Sequence, residues 1–316
     1  MDWPIHACAC IVRSRIMLDA YKQEGPATWL QELRSTTYHR FLVARRSRAL
    51  TPFKRFARRP DVVVGSVIFA IWVVIAIAWP VIAPYSPTDV HLLEKFRSPS
   101  LSHLFGTDNF GRDIFSRVLA GSRTVLVVSI LASALGIGIG TTLGLLTGFY
   151  GGLIDEVIMR IIDTLMALPS IVLAIIVLAV AGPSLVNVIL VIALVYIPLN
   201  CRIIRSAVLV QRNQDFIAAA RLRGENGFHI MFVEILPNIT STLVVEFTVR
   251  VAYAAFTVST LSFLGLGIQP PTPDWGLMIS EGRIYIQIAP WIVIFPAAAL
   301  ATLVLSTSLI GEGIKK

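Results

Sequence analysis

The chain contains uncharged apolar runs long enough to cross a lipid bilayer. Residues 62–83 read VVVGSVIFAIWVVIAIAWPVIA, without one charged side chain. A helix needs about 20 apolar residues to span the hydrocarbon layer of a membrane. The composition agrees, since 55% of the residues are hydrophobic and only 15% are charged, whereas about a quarter are charged in soluble domains. We therefore predict an all-α protein that spans a membrane several times.

Six segments qualify as transmembrane helices. They are residues 62–83, 124–149, 161–181, 184–200, 239–267 and 289–310. The third and fifth segments are interrupted by polar residues or proline, namely Asp163, Pro169, Glu246 and Arg250. Glu246 and Arg250 are four residues apart and share a helix face. Buried charges in a membrane usually pair and are often functional, and a structural pair or an arginine that extends to the membrane surface are the alternatives. Asp163 is expected near the N-terminus of the third helix, where a carboxylate is favourable.

The predicted organisation has four parts. They are a basic N-terminal extension (1–60, with 1–50 a candidate disordered segment), a first transmembrane helix (61–84), a periplasmic loop (85–123) and a five-helix core (124–312) that holds a cytoplasmic loop at 202–238. The extension lacks the short apolar core of a secretory signal. Met17 is an alternative start, and FKRFARRP at 53–60 is typical of a basic lead-in to a membrane.

The orientation follows from the placement of the 27 Lys and Arg residues. Most of them lie in residues 1–60, in the 201–238 loop and at the C-terminal Lys315-Lys316. Because cytoplasmic loops carry the excess of Lys and Arg, both termini are predicted to be cytoplasmic. The same placement accounts for the net charge of +8 without a nucleic-acid partner.

The sequence lacks several motifs that are typical of enzymes. No Gly-Lys dipeptide occurs, which excludes the phosphate-binding Walker loop, and neither HExxH nor GxSxG is present. The three cysteines, Cys8, Cys10 and Cys201, have no metal-ligand spacing and form no disulfide framework. We predict no enzymatic activity, no catalytic residue, no metal and no cofactor in this chain.

The second predicted helix carries a stripe of glycines at every fourth residue. Its members are Gly136, Gly140, Gly144 and Gly148. Small residues at this spacing let helix backbones approach closely in a membrane. Packing within the chain is the simpler interpretation, and a contact with a partner permease is the alternative.

A short amphipathic stretch, DFIAAARLRGENGFHIMFVEILPN at 215–238, interrupts the apolar segments. DFIAAARL favours a helix, Gly224 can end it in the left-handed conformation, FHIMFVEIL forms a second helix, and Pro237 is expected to set the boundary before the fifth span. A helix–glycine–helix unit on a membrane protein is suited to fit a groove on a soluble partner.

This stretch resembles the Glu-Ala-Ala loop of binding-protein-dependent ABC importer permeases. The matching residues are Ala219, Ala220, Gly224, Leu236 and Pro237. Ala218 stands where that family usually has Glu. The resemblance implies that the loop couples the permease to separate ATPase subunits.

Two further stretches are similar to the C-type permeases of dipeptide, oligopeptide, glutathione and nickel importers, with a pattern close to glutathione permeases. They are HLFGTDNFGRDIFSRVLAGSRTVL at 103–126 and LSFLGLGIQPPTPDWGLM at 261–278, and the resemblance spans roughly 53–312. It implies a MetI-like type I importer fold in the bacterial inner membrane. The implied partners are a homologous B-type permease, two cytoplasmic ATP-binding subunits and a periplasmic solute-binding protein.

Both stretches contain candidate contact residues outside the membrane. A polar, turn-rich loop is a candidate docking site for the binding protein, through Gly106, Asp108, Gly111, Arg112 and Asp113. In the second stretch, QPPTPDWG predicts a rigid extended loop, and Trp275 is expected to be an interfacial anchor. Gly265 and Gly267 are candidates for a close helix contact or for a gate hinge.

The function predicted is uptake of di- or oligopeptides, or of glutathione, by alternating access driven by partner ATPases. Nickel or another small solute is the alternative within the same architecture. An ion-coupled secondary transporter should show inverted repeats and acidic residues at mid-membrane. This sequence lacks such acids, and six spans with one amphipathic cytoplasmic loop fit a half-transporter better. A membrane scaffold that recruits a soluble partner through 215–238 is the remaining alternative.

Overall fold

The computed structural model describes residues 59–315, and all of the longer regular elements in that range are helices. Residues 1–58, with Cys8, Cys10 and Met17, lie outside the described residues. The α-helices are α1 (Pro60–Ile82), α2 (Ile114–Tyr150), α3 (Gly152–Met166), α4 (Ser170–Ala181), α5 (Leu185–Arg212), α6 (Asp215–Leu222), α7 (Gly227–His229), α8 (Leu236–Asn238), α9 (Thr240–Phe263), α10 (Trp275–Gly282) and α11 (Trp291–Lys315). A π-helix, Ile230–Ile235, joins α7 to α8, and 3₁₀ turns occur at Leu92–Glu94 and Arg283–Tyr285. The predicted all-α fold is confirmed.

Five helices in the described range, α1, α2, α5, α9 and α11, are long and apolar enough to cross a membrane. The third predicted span differs, because α3 and α4 form a broken pair bent by 87°. The 12 residues of α4 are about 18 Å long, short of the about 30 Å of hydrocarbon. Pro169 lies at the bend, lacks an N–H and restricts Leu168 before it.

Two spans extend further than their apolar runs. Helix α2 begins at Ile114 rather than 124, so part of the predicted periplasmic loop is helical, and α5 continues to Arg212 rather than ending at 200. Charged side chains ended the apolar runs in the sequence. They do not end the helices, because Arg117 and Arg205 pair with carboxylates of neighbouring segments.

The centre of the fold is the contact between α2 and α5. The four stripe glycines of α2 face α5: a Cβ would lie 2.9 Å from Ala193 O at Gly136, from Ile197 O at Gly140 and from Cys201 O at Gly144, and 2.7 Å from Val208 Cβ at Gly148. Asn200 of α5 is buried in this contact, and its amide donates to Ile137 O at 3.0 Å and to Thr141 Oγ1 at 3.1 Å. The two helices are therefore held at close range by small residues and by an interhelical hydrogen bond.

Helices α1, α9 and α11 pack around the other side of α2. The long helices place the two non-membrane parts of the chain at opposite ends of α2. We call the end formed by residues 83–113 and 264–290 the loop end. The other, formed by residues 213–239, is the hairpin end.

Candidate functional site

The segment 215–238 forms a helical hairpin against the C-terminal ends of α2 and α5. Its first arm is α6, and its second arm runs through α7, the π-helix and α8. Gly224 lies between the arms with φ of 78°, the left-handed conformation predicted at this position. The second arm begins at Asn226, whose side-chain oxygen accepts the His229 N–H at 2.7 Å. The turn is therefore fixed from both sides.

The inner face of the hairpin is apolar and buried. Its residues belong to one cluster with the ends of α2 and α5: Ile217, Ala220, Ile230, Met231 and Ile235 from the hairpin, Leu145 and Phe149 from α2, and Ile204 and Val208 from α5. Side chains buried in a shared apolar core move together with the elements that contribute them. The hairpin and the ends of the two central helices therefore share one buried apolar cluster.

The five residues that the sequence singled out occupy different environments. Ala219, Gly224 and Pro237 are exposed, Leu236 is half-buried and Ala220 is fully buried. Pro237 does not set the boundary before α9, since the helix continues to Asn238. The helical conformation is interrupted at Ile239, with φ of −103° and ψ of 8°. A proline at the start of α8 is tolerated because its missing N–H costs little there.

At the loop end, a network of buried charges fixes the chain. Asp108 Oδ1 accepts the backbone N–H groups of Phe110 at 2.8 Å and Arg112 at 2.9 Å. Its other oxygen accepts Arg112 Nε at 2.6 Å and a guanidinium nitrogen of Arg117. Both arginines also reach Glu281 Oε2, at 3.0 and 3.4 Å.

A second buried group lies beside this network. Asp113 caps α2 by accepting the Ser116 N–H at 2.8 Å, and its other oxygen is 2.9 Å from His103 Nδ1. His103 Nε2 lies 3.4 Å from Glu94, and the ring stacks on Tyr85 with a centroid distance of 4.9 Å. Residues distant in sequence are thereby tied to the start of α2.

The predicted docking residues thus lie inside the loop rather than on it. Gly106, Asp108, Gly111 and Asp113 are buried, and the Arg112 side chain is only 11% exposed. Gly106 and Gly111 have φ of 76° and 74°, which favours glycine. These residues give the loop its shape, whereas Leu93, Leu101 and Phe110 form part of its exposed surface.

Trp275 is fully buried, so the expected interfacial anchor is wrong. Its indole N–H donates to Val118 O at 2.9 Å, and its ring meets Trp72 edge-to-face at 5.0 Å. The reason is the path of the chain, which folds residues 264–290 back over the first turns of α2. Gly121 leaves room for the ring, since a Cβ there would lie 2.9 Å from it.

Asp274 precedes this tryptophan and is also completely buried. Its Oδ1 caps α10 by accepting the Leu277 N–H at 3.0 Å, while Oδ2 has no hydrogen-bond partner among the described residues. Burial away from water raises the pKa of Asp274 to about 6. Nearby, Gly265 ends α9 with φ of 82°, and Gly267 packs tightly on the Ser262 backbone.

Several charges within the long helices are paired, and some of these pairs were missed by the sequence reasoning. Glu246 and Arg250 form the expected pair at 3.1 Å. Asp163 lies near the C-terminal end of α3, not at a helix N-terminus, and pairs with Arg202. Asp155 makes a two-pronged contact with Arg205, with both distances 2.6 Å. The pairs explain how these charges are accommodated, and they form no acidic chain across the helices described here.

Nothing in residues 59–315 gathers three His, Cys, Asp or Glu side chains into a group able to hold a metal ion. Cys201, the cysteine of this range, is buried in α5.

Two known protein families match parts of this chain. Residues 140–315 match the binding-protein-dependent transport system inner membrane component family, and residues 51–99 match the N-terminal transmembrane domain of oligopeptide transport permease C. The first match includes the hairpin, all of α5 and the C-terminal end of α2.

Individual relatives cover most of the chain. The dipeptide transport system permease protein DppC of Alkalihalophilus pseudofirmus is 41% identical over 83% of this chain and 86% of its own length. The glutathione transport system permease protein GsiD of Pectobacterium atrosepticum is 40% identical over 84% and 90%, respectively. DppC of Haemophilus influenzae is 36% identical over 82% and 90%.

The family's members are membrane components of transporters and not their catalytic subunits. The predicted location in the inner membrane and the predicted role as a transport permease are confirmed. This chain belongs to the binding-protein-dependent transport system inner membrane component family.

Proposed function

We propose that this chain is one of two permease subunits of an ATP-driven importer that moves di- or oligopeptides, or glutathione, across the inner membrane. The named relatives support this substrate class, since they are dipeptide and glutathione permeases. The other components are a homologous B-type permease, two cytoplasmic ATP-binding subunits and a solute-binding protein outside the membrane.

The helical hairpin is the contact with the ATP-binding subunits, and it faces the cytoplasm. Its orientation is supported by the Lys and Arg residues that accompany it in the 201–238 loop. The observation that carries the proposal is its construction: the outer surface is exposed, and the inner face is buried in one cluster with the ends of α2 and α5.

The mechanism is alternating access. ATP binding closes the two ATP-binding subunits, and the hairpin carries that motion into α2 and α5, which opens the pathway to the outside. Hydrolysis and product release return the helices to the inward-facing arrangement. Packed helix interfaces have two discrete stable arrangements and do not deform continuously. The helices are therefore expected to move as rigid bodies.

The loop end is the docking surface for the solute-binding protein. Support comes from its rigidity: the network around Asp108 and the pair of Asp113 with His103 hold the exposed residues of the loop in one arrangement. A preformed surface loses little conformational entropy when a partner binds.

The test is reconstitution of the full-length chain with its partner permease and ATP-binding subunits in liposomes. The rate of ATP hydrolysis is then measured in the presence of a binding protein that carries one ligand from a panel of dipeptides, oligopeptides, glutathione and a nickel chelate. We expect copurification of the ATP-binding subunits and faster hydrolysis with peptide or glutathione. Copurification without any ligand-stimulated hydrolysis, or uptake driven by an ion gradient alone, would contradict the proposal.

A further inference from the structure

Helix α9 is the least apolar of the five long helices in the described range, and one of its faces is polar. The residues of this polar face recur at helical spacing and are exposed or half-buried: Glu246, Arg250, Tyr253, Thr257 and Thr260. Helix α1, by contrast, exposes apolar side chains such as Val67, Ile71 and Val74. Ionisable side chains in membrane-spanning helices face the protein interior or a water-filled cavity. The polar face of α9 is therefore unsuited to contact with lipid.

The charged pair of this face lies near the middle of the helix. With a rise of about 1.5 Å per residue, Arg250 is about 15 Å from Thr240 and about 20 Å from Phe263, the two ends of α9. Glu246 is one turn nearer the hairpin end and accepts a hydrogen bond from the Arg250 guanidinium at 3.1 Å. The side chains of Arg250 and Glu246 are 12% and 14% exposed. Ionisable groups at this depth are costly in a membrane and are often functional.

Arg250 has unused hydrogen-bonding capacity. A guanidinium carries five N–H donors, and within residues 59–315 Arg250 makes one hydrogen bond, to Glu246, while its Nε is buried without an acceptor. The Tyr196 ring of α5 also faces it, with the ring centroid 5.6 Å from the guanidinium carbon. Arg117 of the loop end, by comparison, is paired with two carboxylates. Arg250 can therefore bind a second oxygen ligand.

Aromatic side chains lie on the next turn of α9. Tyr253 and Phe256 are 59% and 58% exposed, and Tyr253 follows Arg250 by three residues, so the two share a side of the helix. Exposed rings offer a large apolar surface against which a solute can pack. This part of α9 thus combines both signs of charge with apolar surface. A peptide has the matching groups, since it carries an ammonium, a carboxylate and side chains between them.

We propose that Glu246 and Arg250 form a weak binding site for the charged termini of a peptide during its passage through the membrane. This inference rests on the proposed function. The carboxylate of the peptide accepts hydrogen bonds from the Arg250 guanidinium, and Glu246, released from Arg250, accepts hydrogen bonds from the ammonium. Charge-assisted hydrogen bonds of this kind are about twice as strong as neutral ones. One ion pair within the chain is exchanged for two with the solute, so every charge stays compensated.

The ion pair within the chain also sets the selectivity of the site. An anion that lacks an ammonium would separate Arg250 from Glu246 and leave Glu246 uncompensated, and a simple cation would do the same to Arg250. Because an uncompensated buried charge is costly, the site favours zwitterions, a class that includes dipeptides, oligopeptides and glutathione. The two residues can also pair again with each other, which keeps the affinity low enough for the solute to leave.

The experiment measures uptake into liposomes by the complete transporter: the full-length chain, its partner permease, the ATP-binding subunits and a binding protein that carries either a dipeptide or the C-terminal amide of the same dipeptide. The double variant Glu246→Gln with Arg250→Gln removes both charges and leaves neither alone. The control, Glu156→Gln with Arg160→Gln, removes an ion pair of the same spacing from the exposed surface of α3. Because the binding protein is the same throughout, its own preference cancels when variants are compared.

The readout is the ratio of the uptake rate of the dipeptide to that of its amide. We expect the double variant to lower this ratio about tenfold, as for the loss of a hydrogen bond to a charged group. It should still copurify with the other subunits as wild type does, and the control should keep the wild-type ratio. Arg250→Lys retains the positive charge without the planar fork of donors, and it should lower the ratio less.

Several results would overturn the inference. A wild-type ratio in the double variant is one of them, and an equal decrease in the uptake of both peptides is another. Loss of the partner permease from the folded double variant would show that the polar face contacts that subunit instead. If the double variant does not fold, a wild-type ratio in Arg250→Lys has the same meaning. A wild-type transporter that imports neither peptide in the presence of ATP contradicts the proposed function itself.

Discussion

Both ends of the molecule carry many charged side chains, but those of the loop end are buried and those of the hairpin end are exposed. At the loop end Asp108 and the Arg117 side chain are 2% and 4% exposed, and Asp108 accepts two backbone and two guanidinium donors. At the hairpin end Arg223 reaches its two glutamates only at 3.5 and 3.6 Å and is 54% exposed.

The difference has an energetic consequence. Exposed ion pairs contribute about 0 to 1 kcal/mol to stability, whereas loss of one member of a buried pair costs about 3 to 5 kcal/mol. The loop end therefore uses its charges to fix one conformation. The hairpin end is held by its apolar inner face, and its exposed ion pairs add little to that.

Asp108→Asn should have the largest effect, because it replaces a buried carboxylate shared by Arg112 and Arg117 with a neutral amide and leaves the more exposed Glu281 to compensate both charges. We expect a loss of about 3 to 5 kcal/mol in the free energy of unfolding, measured on the purified protein in detergent. Asp89→Asn, an exposed carboxylate of the same segment, is the control and should stay within about 0.5 kcal/mol of wild type. Equal losses in both variants would show that burial of the network does not matter.

Asp274→Asn tests a buried carboxylate of the loop end that has no charged partner within residues 59–315. Because folding raises its pKa from 3.8 to about 6, the folded state holds this proton more tightly. Its contribution to stability is therefore fully present below about pH 4 and falls as the pH rises through 6, by about 3 kcal/mol in total.

Asparagine keeps the oxygen that caps α10 and cannot ionise. The free energy of unfolding of Asp274→Asn, measured from pH 4 to pH 8, should therefore rise relative to wild type across this range. Asp89→Asn should follow the wild-type curve. Parallel curves for wild type and Asp274→Asn would mean that the carboxyl is not titrating with a raised pKa.

Gly140→Ala concerns the helices that connect the two ends. Its Cβ would lie 2.9 Å from Ile197 O and 3.0 Å from Asn200 Cβ, so α2 and α5 must separate, at about 1 to 3 kcal/mol. Gly138, two residues earlier, has open space at its Cβ position, and Gly138→Ala should be neutral or slightly stabilising. Thermal unfolding of both variants measures the difference, and similar midpoints would contradict the packing.

Gly224→Ala should cost about 1 kcal/mol, because φ of 78° is unfavourable for a residue with a Cβ. Gly224→Asn should cost less, since asparagine tolerates this conformation. The more informative readout is the number of ATP molecules hydrolysed per solute imported, which we expect to rise only for alanine. If Gly224→Ala leaves this ratio unchanged, the conformation of the turn does not affect the coupling of ATP hydrolysis to solute import.

Leu222→Ser should have the smallest effect on stability, within about 0.5 kcal/mol, because the side chain is exposed. It should still weaken association with the ATP-binding subunits, as measured by copurification. Val210→Ser, exposed on α5 of the same chain, is the matched control. If both variants copurify with the ATP-binding subunits like wild type, the exposed Leu222 side chain does not contribute to that association.

The sequence predicted the features that depend on local patterns. The apolar runs located the long spans, and Gly224 predicted the turn between the arms because a left-handed residue is needed there. The glycine stripe of α2 predicted a close helix contact, although its partner, α5, could not be chosen from spacing alone.

The features that the sequence did not predict depend on contacts between distant residues. Arg112 and Glu281 are 169 positions apart, so nothing local distinguishes their buried pair from solvated charges. Trp275 looked like an interfacial residue because its burial depends on how residues 264–290 fold over α2. Asn200 sits in an otherwise apolar stretch, and its role follows only from the groups of α2 that it meets.

We propose that this chain hydrolyses no ATP itself and is moved through the hairpin by ATP-binding subunits. The most direct measurement is uptake of a binding-protein-delivered dipeptide or glutathione into liposomes that contain this chain and its partner permease, with and without those subunits. We predict uptake only with the ATP-binding subunits and ATP, and its loss in Gly224→Pro. Uptake by the permeases alone, under an ion gradient or without any energy source, would contradict the claim.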